Sequence, residues 1–308
     1  MTPGTTHPST GDTDMSTIKR DQINVGGLVT SFLSAGSPSA HPLVLLHDGA
    51  WGGSAEASWI NVIPTLAKRY RVIAPDLYGY GASSKMVQLD VAPYEFRLRQ
   101  VAALLDALGL EDRPTHLVGN SFGGAMALRA ATLPWFSWRV SAAVSISGTG
   151  GPYRTREGLA ALSRFDGSHA DMLRIVRLLT DNFPAIDDHV ELRLRDACNP
   201  GHYRAVAAAG LATPFESAPK HRDDYPRSLR TVRTPLALVS GRQDNLVEPD
   251  WAHRIAEHAP SCKVYEIDAR HSPNISDPET TAALLLTIVG ELEGGAATHD
   301  HAAPGTSR

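Results

Sequence analysis

The segment Gly119-Asn120-Ser121-Phe122-Gly123-Gly124 sets a serine between glycines, directly after an apolar run and directly before a helical pattern. Glycines at 119 and 123 permit a sharp, strained strand-to-helix turn that holds the Ser121 side chain clear of the backbone. The helix that starts at Phe122 aims backbone N–H groups at charge developing beside the serine. A chain with 26 glycines can produce Gly-x-Ser-x-Gly by chance, so the strand–turn–helix context carries the reading rather than the pattern. The competing reading is a purely structural glycine-rich turn.

A serine hydroxyl needs a base to take its proton, and the base needs an acid to orient it. For a serine on such a turn the expected chain order is Ser, then Asp or Glu, then His. Asp244 follows the apolar run that ends at Val239, and His271 follows the run Lys263–Ile267. Both leave the carboxyl ends of strands, the edge at which Ser121 also emerges and at which open α/β sheets place their sites. Asp250, His253 and His258 lie in or beside a helix and read as surface residues, as does Asp268. The expected catalytic set is Ser121, Asp244 and His271.

The partner half of an oxyanion hole belongs in the loop after the first parallel strand, His47-Asp48-Gly49-Ala50-Trp51-Gly52-Gly53. Gly49 can bring its N–H close to a reacting oxygen because no side chain intervenes. The expected donors are the N–H groups of Gly49 and Phe122, with His47 as a brace for the loop. Asp48 has two readings: it caps a neighbouring backbone group, or it faces the pocket and contacts substrate. In the second case it must be protonated or paired, for instance with Arg270.

Positioning these residues calls for a sheet. Short apolar runs at 43–46, 71–74, 115–118, 140–146, 235–239 and 263–267 alternate with helical patterns at 59–68, 94–108, 122–132, 249–258 and 278–292. That is the signature of a parallel sheet with crossover helices, and 22–35 adds one or two antiparallel leading strands. From about 149 to 230 the alternation stops, leaving helical periodicity and turns. Met172, Ile175, Val176 and Leu179 share one helical face there, with Arg174 and Arg177 on the other. The expected organisation is a leader at 1–18, a core at 19–148 and 231–293, a helical lid at 149–230, and a tail at 294–308. Both ends read as disordered.

Composition bounds the function. Of 308 residues, 42% are hydrophobic, enough for a substantial core. The 29 basic and 33 acidic residues nearly balance, which gives no electrostatic reason for a nucleic-acid partner. No run approaches the length of a membrane span, and the first residues lack the features of a secretory signal. Cys198 and Cys262 cannot build a disulfide framework and point to a reducing, cytoplasmic location. They show no zinc-ligand spacing, and His299 and His301 read as solvated rather than metal-binding.

Residues 40–150 and 232–292 resemble an α/β-hydrolase with a serine nucleophile and a lid. The run Arg-Val-Ile-Ala-Pro-Asp-Leu-Tyr-Gly-Tyr-Gly-Ala-Ser at 71–83 matches that superfamily, with Asp76 in a structural role. Leu-Val-Gly-Asn-Ser-Phe-Gly-Gly-Ala at 117–125 is similar to meta-cleavage-product hydrolases, cofactor-free enzymes that hydrolyse carbon–carbon bonds in vinylogous diketones. The resemblance implies an α/β-hydrolase fold: a mostly parallel eight-stranded sheet flanked by helices, with the lid inserted between core strands. It further implies substrate contacts from Asn120 and a lid arginine, Arg193 or its rival Arg195, and is compatible with a homo-oligomer. Asp48 and Trp51 join Asn120 and Arg193 as expected substrate-binding residues. Four positions depart from the pattern: Asp48 and Ala50 replace glycines, Arg270 replaces a glycine, and Ser272 stands where tryptophan is usual. The expected activity is cofactor-free hydrolysis of a small carbonyl substrate, with carbon–carbon cleavage favoured. Ester or lactone hydrolysis and perhydrolysis are alternatives, and a non-catalytic ligand receptor is the rival of a different class. Epoxide hydrolases and haloalkane dehalogenases are disfavoured because they place aspartate where Ser121 stands.

Overall fold

The computed structural model describes residues 17–89, 91–208 and 224–299, with the backbone alone for 295–299. Eight strands form one sheet: β1 (Lys19–Val25), β2 (Leu28–Ala35), β3 (His41–Leu46), β4 (Tyr70–Pro75), β5 (Thr115–Asn120), β6 (Val140–Ile146), β7 (Leu236–Gly241) and β8 (Cys262–Ile267). Their order across the sheet is β1-β2-β4-β3-β5-β6-β7-β8. Only β1 and β2 run antiparallel to their neighbours; from β4 through β8 every pairing is parallel. The chain direction across the sheet reverses between β3 and β5, and in open α/β sheets a ligand crevice opens outside the carboxyl ends of the strands at such a reversal.

Alternation along the strands feeds two cores. Leu43 and Leu45 of β3 face one layer, with Trp59, Ile63, Leu66, Leu285 and Ile288. Val44 and Leu46 face the other, with Leu98, Leu104, Met126, Leu128 and Trp251. Each such side chain, fully buried, contributes about 1.5–3 kcal/mol. The first layer comprises α1 (Ala55–Trp59), α2 (Ile63–Leu66) and α11 (Pro278–His299), which follows the one-turn α10 (Pro273–Ser276); the second comprises α3 (Pro93–Ala107), α4 (Phe122–Ala130) and α9 (Trp251–Ala256).

Where one helix is expected at 59–68 there are two short ones. The Ser54 side chain accepts from Ala57 N–H and starts α1 earlier, while Pro64 near the start of α2 lacks the N–H that a continuous helix needs. At the other end α11 runs through 294–299, which the sequence pattern assigns to the tail. Ala296 and Ala297 favour that continuation, and no proline interrupts before 304. Residues 1–16 of the expected leader, 209–223 of the expected lid, and His301 lie outside the described residues.

Between β6 and β7 the described residues hold α5 (Arg156–Ser163), α6 (His169–Leu179), α7 (Ile186–Ala197) and α8 (His202–Ala207). Met172, Ile175, Val176 and Leu179 are buried with Phe165, Val190 and Trp51, so this insertion has its own small core. Among the described residues of the insertion, strand structure is limited to one isolated bridge, Arg154 to Val247.

Candidate active site

Ser121 is the N-cap of α4, immediately after β5, with φ 56° and ψ −114°. A non-glycine residue held there stores about 1–3 kcal/mol of strain, which the surrounding structure must absorb. The glycines make the turn possible. A Cβ at Gly119 would lie 2.1 Å from the Gly123 backbone, and one at Gly123 would lie 2.1 Å from the Leu46 carbonyl oxygen. The turn is anchored by Ser121 N–H, which donates to the Ile146 carbonyl at 2.8 Å.

His271 and Asp244 converge on the serine as the chain order predicts. His271 Nε2 lies 2.7 Å from Ser121 Oγ, and His271 Nδ1 lies 2.7 Å from Asp244 Oδ2. An ionised carboxylate only accepts, so Nδ1 donates to Asp244 and Nε2 is left to accept the serine proton. The other carboxylate oxygen accepts from Leu246 N–H at 2.9 Å, which fixes Asp244 in its turn. His271 and Asp244 are both buried, which keeps the relay out of bulk water.

The Gly49 and Phe122 N–H groups have no partner among the described residues, the condition an oxyanion donor must meet. A Cβ at Gly49 would lie 2.9 Å from Phe122 Cβ, so the loop passes over the helix start only as glycine. His47 braces this loop: its Nε2 accepts from Leu77 N–H at 2.9 Å, and its Nδ1 meets the Asp48 carbonyl at 2.6 Å. Burial pushes the His47 imidazole below its ordinary value despite Asp76 and Asp48 nearby, in keeping with an Nε2 that accepts a backbone N–H. Tyr80 Oη donates to the Gly49 carbonyl at 2.9 Å, and Gly52 N–H donates to His202 Nε2 at 3.1 Å.

The four residues expected to touch substrate each have protein partners. Asn120 is fully buried; its Nδ2 donates to the His271 carbonyl at 2.9 Å and its Oδ1 accepts from Ser272 Oγ at 2.9 Å. Asn120 and Ser272 thereby clasp the His271 loop, and Ser272 N–H extends the clasp to the Leu179 carbonyl at 2.8 Å. Trp51 is 5% exposed; its Nε1 donates to the Leu162 carbonyl, and its ring stacks on Tyr203 with centroids 5.0 Å apart. It serves as a plug in the insertion's core.

Asp48 caps Ala50 N–H at 2.9 Å, accepts from Ser58 Oγ at 3.0 Å, and pairs with Arg193 at 2.5 Å. The expected partner Arg270 is elsewhere: its guanidinium faces Asp181, and its N–H donates to the Asp181 carboxylate at 3.1 Å. Burial works to raise the Asp48 carboxyl, but Arg193 outweighs it and holds the group well below the usual carboxylate range. Arg195, the rival lid arginine, is exposed beside Glu56 and Asp196. A cavity of about 430 Å³ lined by Asp181, Asp268, Pro273, Asp277 and Thr281 includes none of Ser121, Asp244 or His271.

Comparison with known proteins places this geometry. Residues 43–284 match the model of the alpha/beta hydrolase family. Sequence relatives include the 2-hydroxy-6-oxo-6-(2'-aminophenyl)hexa-2,4-dienoic acid hydrolase of Metapseudomonas resinovorans, 30% identical over 87% of this chain and 89% of that protein. The 2-hydroxy-6-oxo-2,4-heptadienoate hydrolase of Pseudomonas putida is 30% identical over 76% of this chain and 82% of that protein. Among solved structures, the 2-hydroxy-6-oxo-6-phenylhexa-2,4-dienoate hydrolase of Rhodococcus sp. strain RHA1 superposes with a TM-score of 0.76 at 25% identity, covering 89% of this chain and 99% of that one. Among the described residues, no helix is long and apolar enough to cross a membrane.

Proposed function

This chain belongs to the alpha/beta hydrolase family, and from that premise we propose that it is a cofactor-free serine hydrolase of activated carbonyl compounds, acting on a carbon–carbon bond in a diketone-type substrate. The observation that carries the reading is the continuous Ser121–His271–Asp244 hydrogen-bonded chain on a strained strand-to-helix turn. The names of the sequence relatives, hydrolases of 6-oxo-dienoates, support the bond type.

In the proposed cycle His271 and Ser121 first assist ketonisation of the substrate, which turns the carbon to be released into a stabilised leaving group. His271 Nε2 then accepts the Ser121 proton as Oγ bonds to the carbonyl carbon. The Gly49 and Phe122 N–H groups receive the oxyanion. As the intermediate collapses, the carbon–carbon bond breaks and the His271 proton passes to the leaving carbon. Water, deprotonated by His271, hydrolyses the acyl-serine and restores the hydroxyl. Asp244 holds the imidazole in the required tautomer throughout.

The helices α5–α8 act as the lid in this reading, and they also steady the base, since Leu179 and Asp181 grip the residues on either side of His271. The unbonded cysteines Cys198 and Cys262 support a cytoplasmic setting. Ester hydrolysis is the second reading, favoured by one departure: Ser272 gives the His271 loop a small hydroxyl in place of an aromatic wall.

The test compares turnover of aryl esters with turnover of a 6-oxo-dienoate, offered as free acid and as methyl ester. Hydrolysis of either dienoate form supports carbon–carbon cleavage. Rapid ester cleavage with no dienoate turnover transfers the assignment to an esterase, and ligand binding without any turnover transfers it to a receptor.

A further inference from the structure

We propose that Asp48 and Arg193 form an internal charge lock that withdraws the arginine from substrate recognition, so that the site selects an uncharged carbonyl compound. The proposal rests on the serine-hydrolase reading above and deepens it by naming the substrate class.

The lock is fully desolvated, with both side chains 0% exposed. Arg193 Nη2 donates to Asp48 Oδ2 at 2.5 Å, and Nη1 donates to Asp48 Oδ1 at 3.3 Å and to the Trp51 carbonyl at 3.2 Å. Nε completes the set by donating to His189 Nε2 at 2.9 Å. A guanidinium keeps its charge in any environment and matches a carboxylate through two parallel bonds, so Asp48 occupies the face that a substrate carboxylate would use. A substrate carboxylate could take that face only by expelling Asp48, which would leave a buried charge without compensation. Asp48 adjoins Gly49 in sequence, so the lock ties α7 to the loop that supplies an expected oxyanion donor.

The cations around this loop and His271 already donate to protein groups. Arg97 donates to the Tyr78 and Pro93 carbonyls, and Lys85 to the carbonyls of Tyr80, Gly81 and Ser83. Arg270 faces Asp181. Burial pushes His189 down to about 3 and His202 down to about 4, so both are neutral near pH 7. A substrate carboxylate near the loop therefore sheds its hydration while much of the hydrogen-bonding capacity of these cations is spent on protein carbonyls, whereas a ketone or ester does not incur that cost.

Two ester pairs that differ in charge test the lock by their kcat/KM ratios. The first pair, para-nitrophenyl methyl glutarate and para-nitrophenyl hydrogen glutarate, carries the carboxylate on the acyl side. The second, phenyl acetate and carboxyphenyl acetate, carries it on the leaving group. The protein is expected to favour the neutral member of both pairs by about tenfold or more, one RT ln 10 step in transition-state binding. Asp48→Asn frees the guanidinium and is expected to swing at least one ratio about tenfold toward the anion. The paired change Asp48→Asn with Arg193→Met removes both charges and is expected to keep the neutral preference; a swing toward the anion there overturns the lock even if Asp48→Asn alone fails to fold. Anionic preference by the unaltered protein, a folded Asp48→Asn with unchanged ratios, or a double variant that turns to the anion each overturns the lock. Turnover of none of the four esters and of neither dienoate form overturns the serine reading and the lock together, while turnover with anionic preference overturns the lock alone; where only the dienoate is turned over, its free acid and methyl ester take the place of the ester pairs.

Discussion

At the carboxyl edge of the sheet, Asp244, His271 and Ser121 form a hydrogen-bonded chain through contacts of 2.7 and 2.7 Å. At the amino edge, Glu293, His116 and Ser141 form another, through contacts of 2.8 and 3.0 Å. Each chain joins a carboxylate, an imidazole and a serine hydroxyl, and the surroundings differ in three respects. Ser121 stands at positive φ at the start of α4, whereas Ser141 lies within β6. Two N–H groups without partners among the described residues, Gly49 and Phe122, accompany Ser121. Ser141 instead sits between two imidazoles, with His41 Nε2 3.2 Å from its hydroxyl and the His41 and His116 rings stacked 4.1 Å apart. The acids differ as well: Asp244 serves His271 and one backbone N–H, while Glu293 is shared with Arg69 and Tyr70. A serine, a histidine and a carboxylate in line make a structural tie unless the backbone also presents the hydroxyl and a place for negative charge.

The largest separation between the edges is expected from the serines. Ser121→Ala is expected to lower kcat/KM for the best substrate by about ten-thousandfold or more, and Ser141→Ala to leave it within about twofold in the same steady-state assay. Next come the acids. Asp244→Asn imposes the wrong imidazole tautomer and is expected to reduce kcat by about a thousandfold to ten-thousandfold. Glu293→Gln removes the charge that Arg69 faces; it is expected to leave kcat unchanged and lower Tm by about 2–4 °C in thermal unfolding.

A smaller effect probes how the carboxyl edge is held. Ser272→Ala deletes one arm of the clasp on the His271 loop, at a cost of about 1 kcal/mol in a buried hydrogen bond. The expected outcome is a kcat reduced about threefold to tenfold with KM little changed, and recovery in Ser272→Thr. A change confined to KM would assign Ser272 to substrate contact instead.

The smallest effect is a pH dependence of stability at the amino edge. Burial, reinforced by His41, holds the His116 pKa below its ordinary value of 6.5 despite the raising influence of Glu293. In the unfolded chain His116 takes up a proton as pH falls below that value, while the folded chain does not, so the unfolded state binds more protons. The contribution is complete above about pH 6.5 and declines as pH falls toward the lowered value. Tm measured from pH 7 down to pH 5 is expected to fall less steeply in His116→Gln. An identical slope would contradict the assignment.

The sheet, the nucleophile turn and the order of Ser121, Asp244 and His271 were legible because each is local. An apolar run followed by Gly-x-Ser-x-Gly needs no distant partner to be recognised, and strands read from short apolar runs place their own carboxyl ends. Strand β1 was only partly legible, since its residues are mostly exposed and lack an apolar signature. The commitments of Asn120, Trp51 and Arg193 were not legible. Their partners lie 151, 111 and 145 residues away, and helical periodicity marks a face without saying what meets it. One signal was available for Asp48. A carboxylate beside an expected oxyanion site demands a cation, but residue types alone could not choose Arg193 over Arg195 or Arg270.

The difference between the edges is tested most directly by covalent labelling with a fluorophosphonate, followed by peptide mass spectrometry to locate the modified serine. The account predicts modification of Ser121 alone, abolished by Ser121→Ala and retained in Ser141→Ala. Modification of Ser141, or labelling that survives Ser121→Ala, would contradict it.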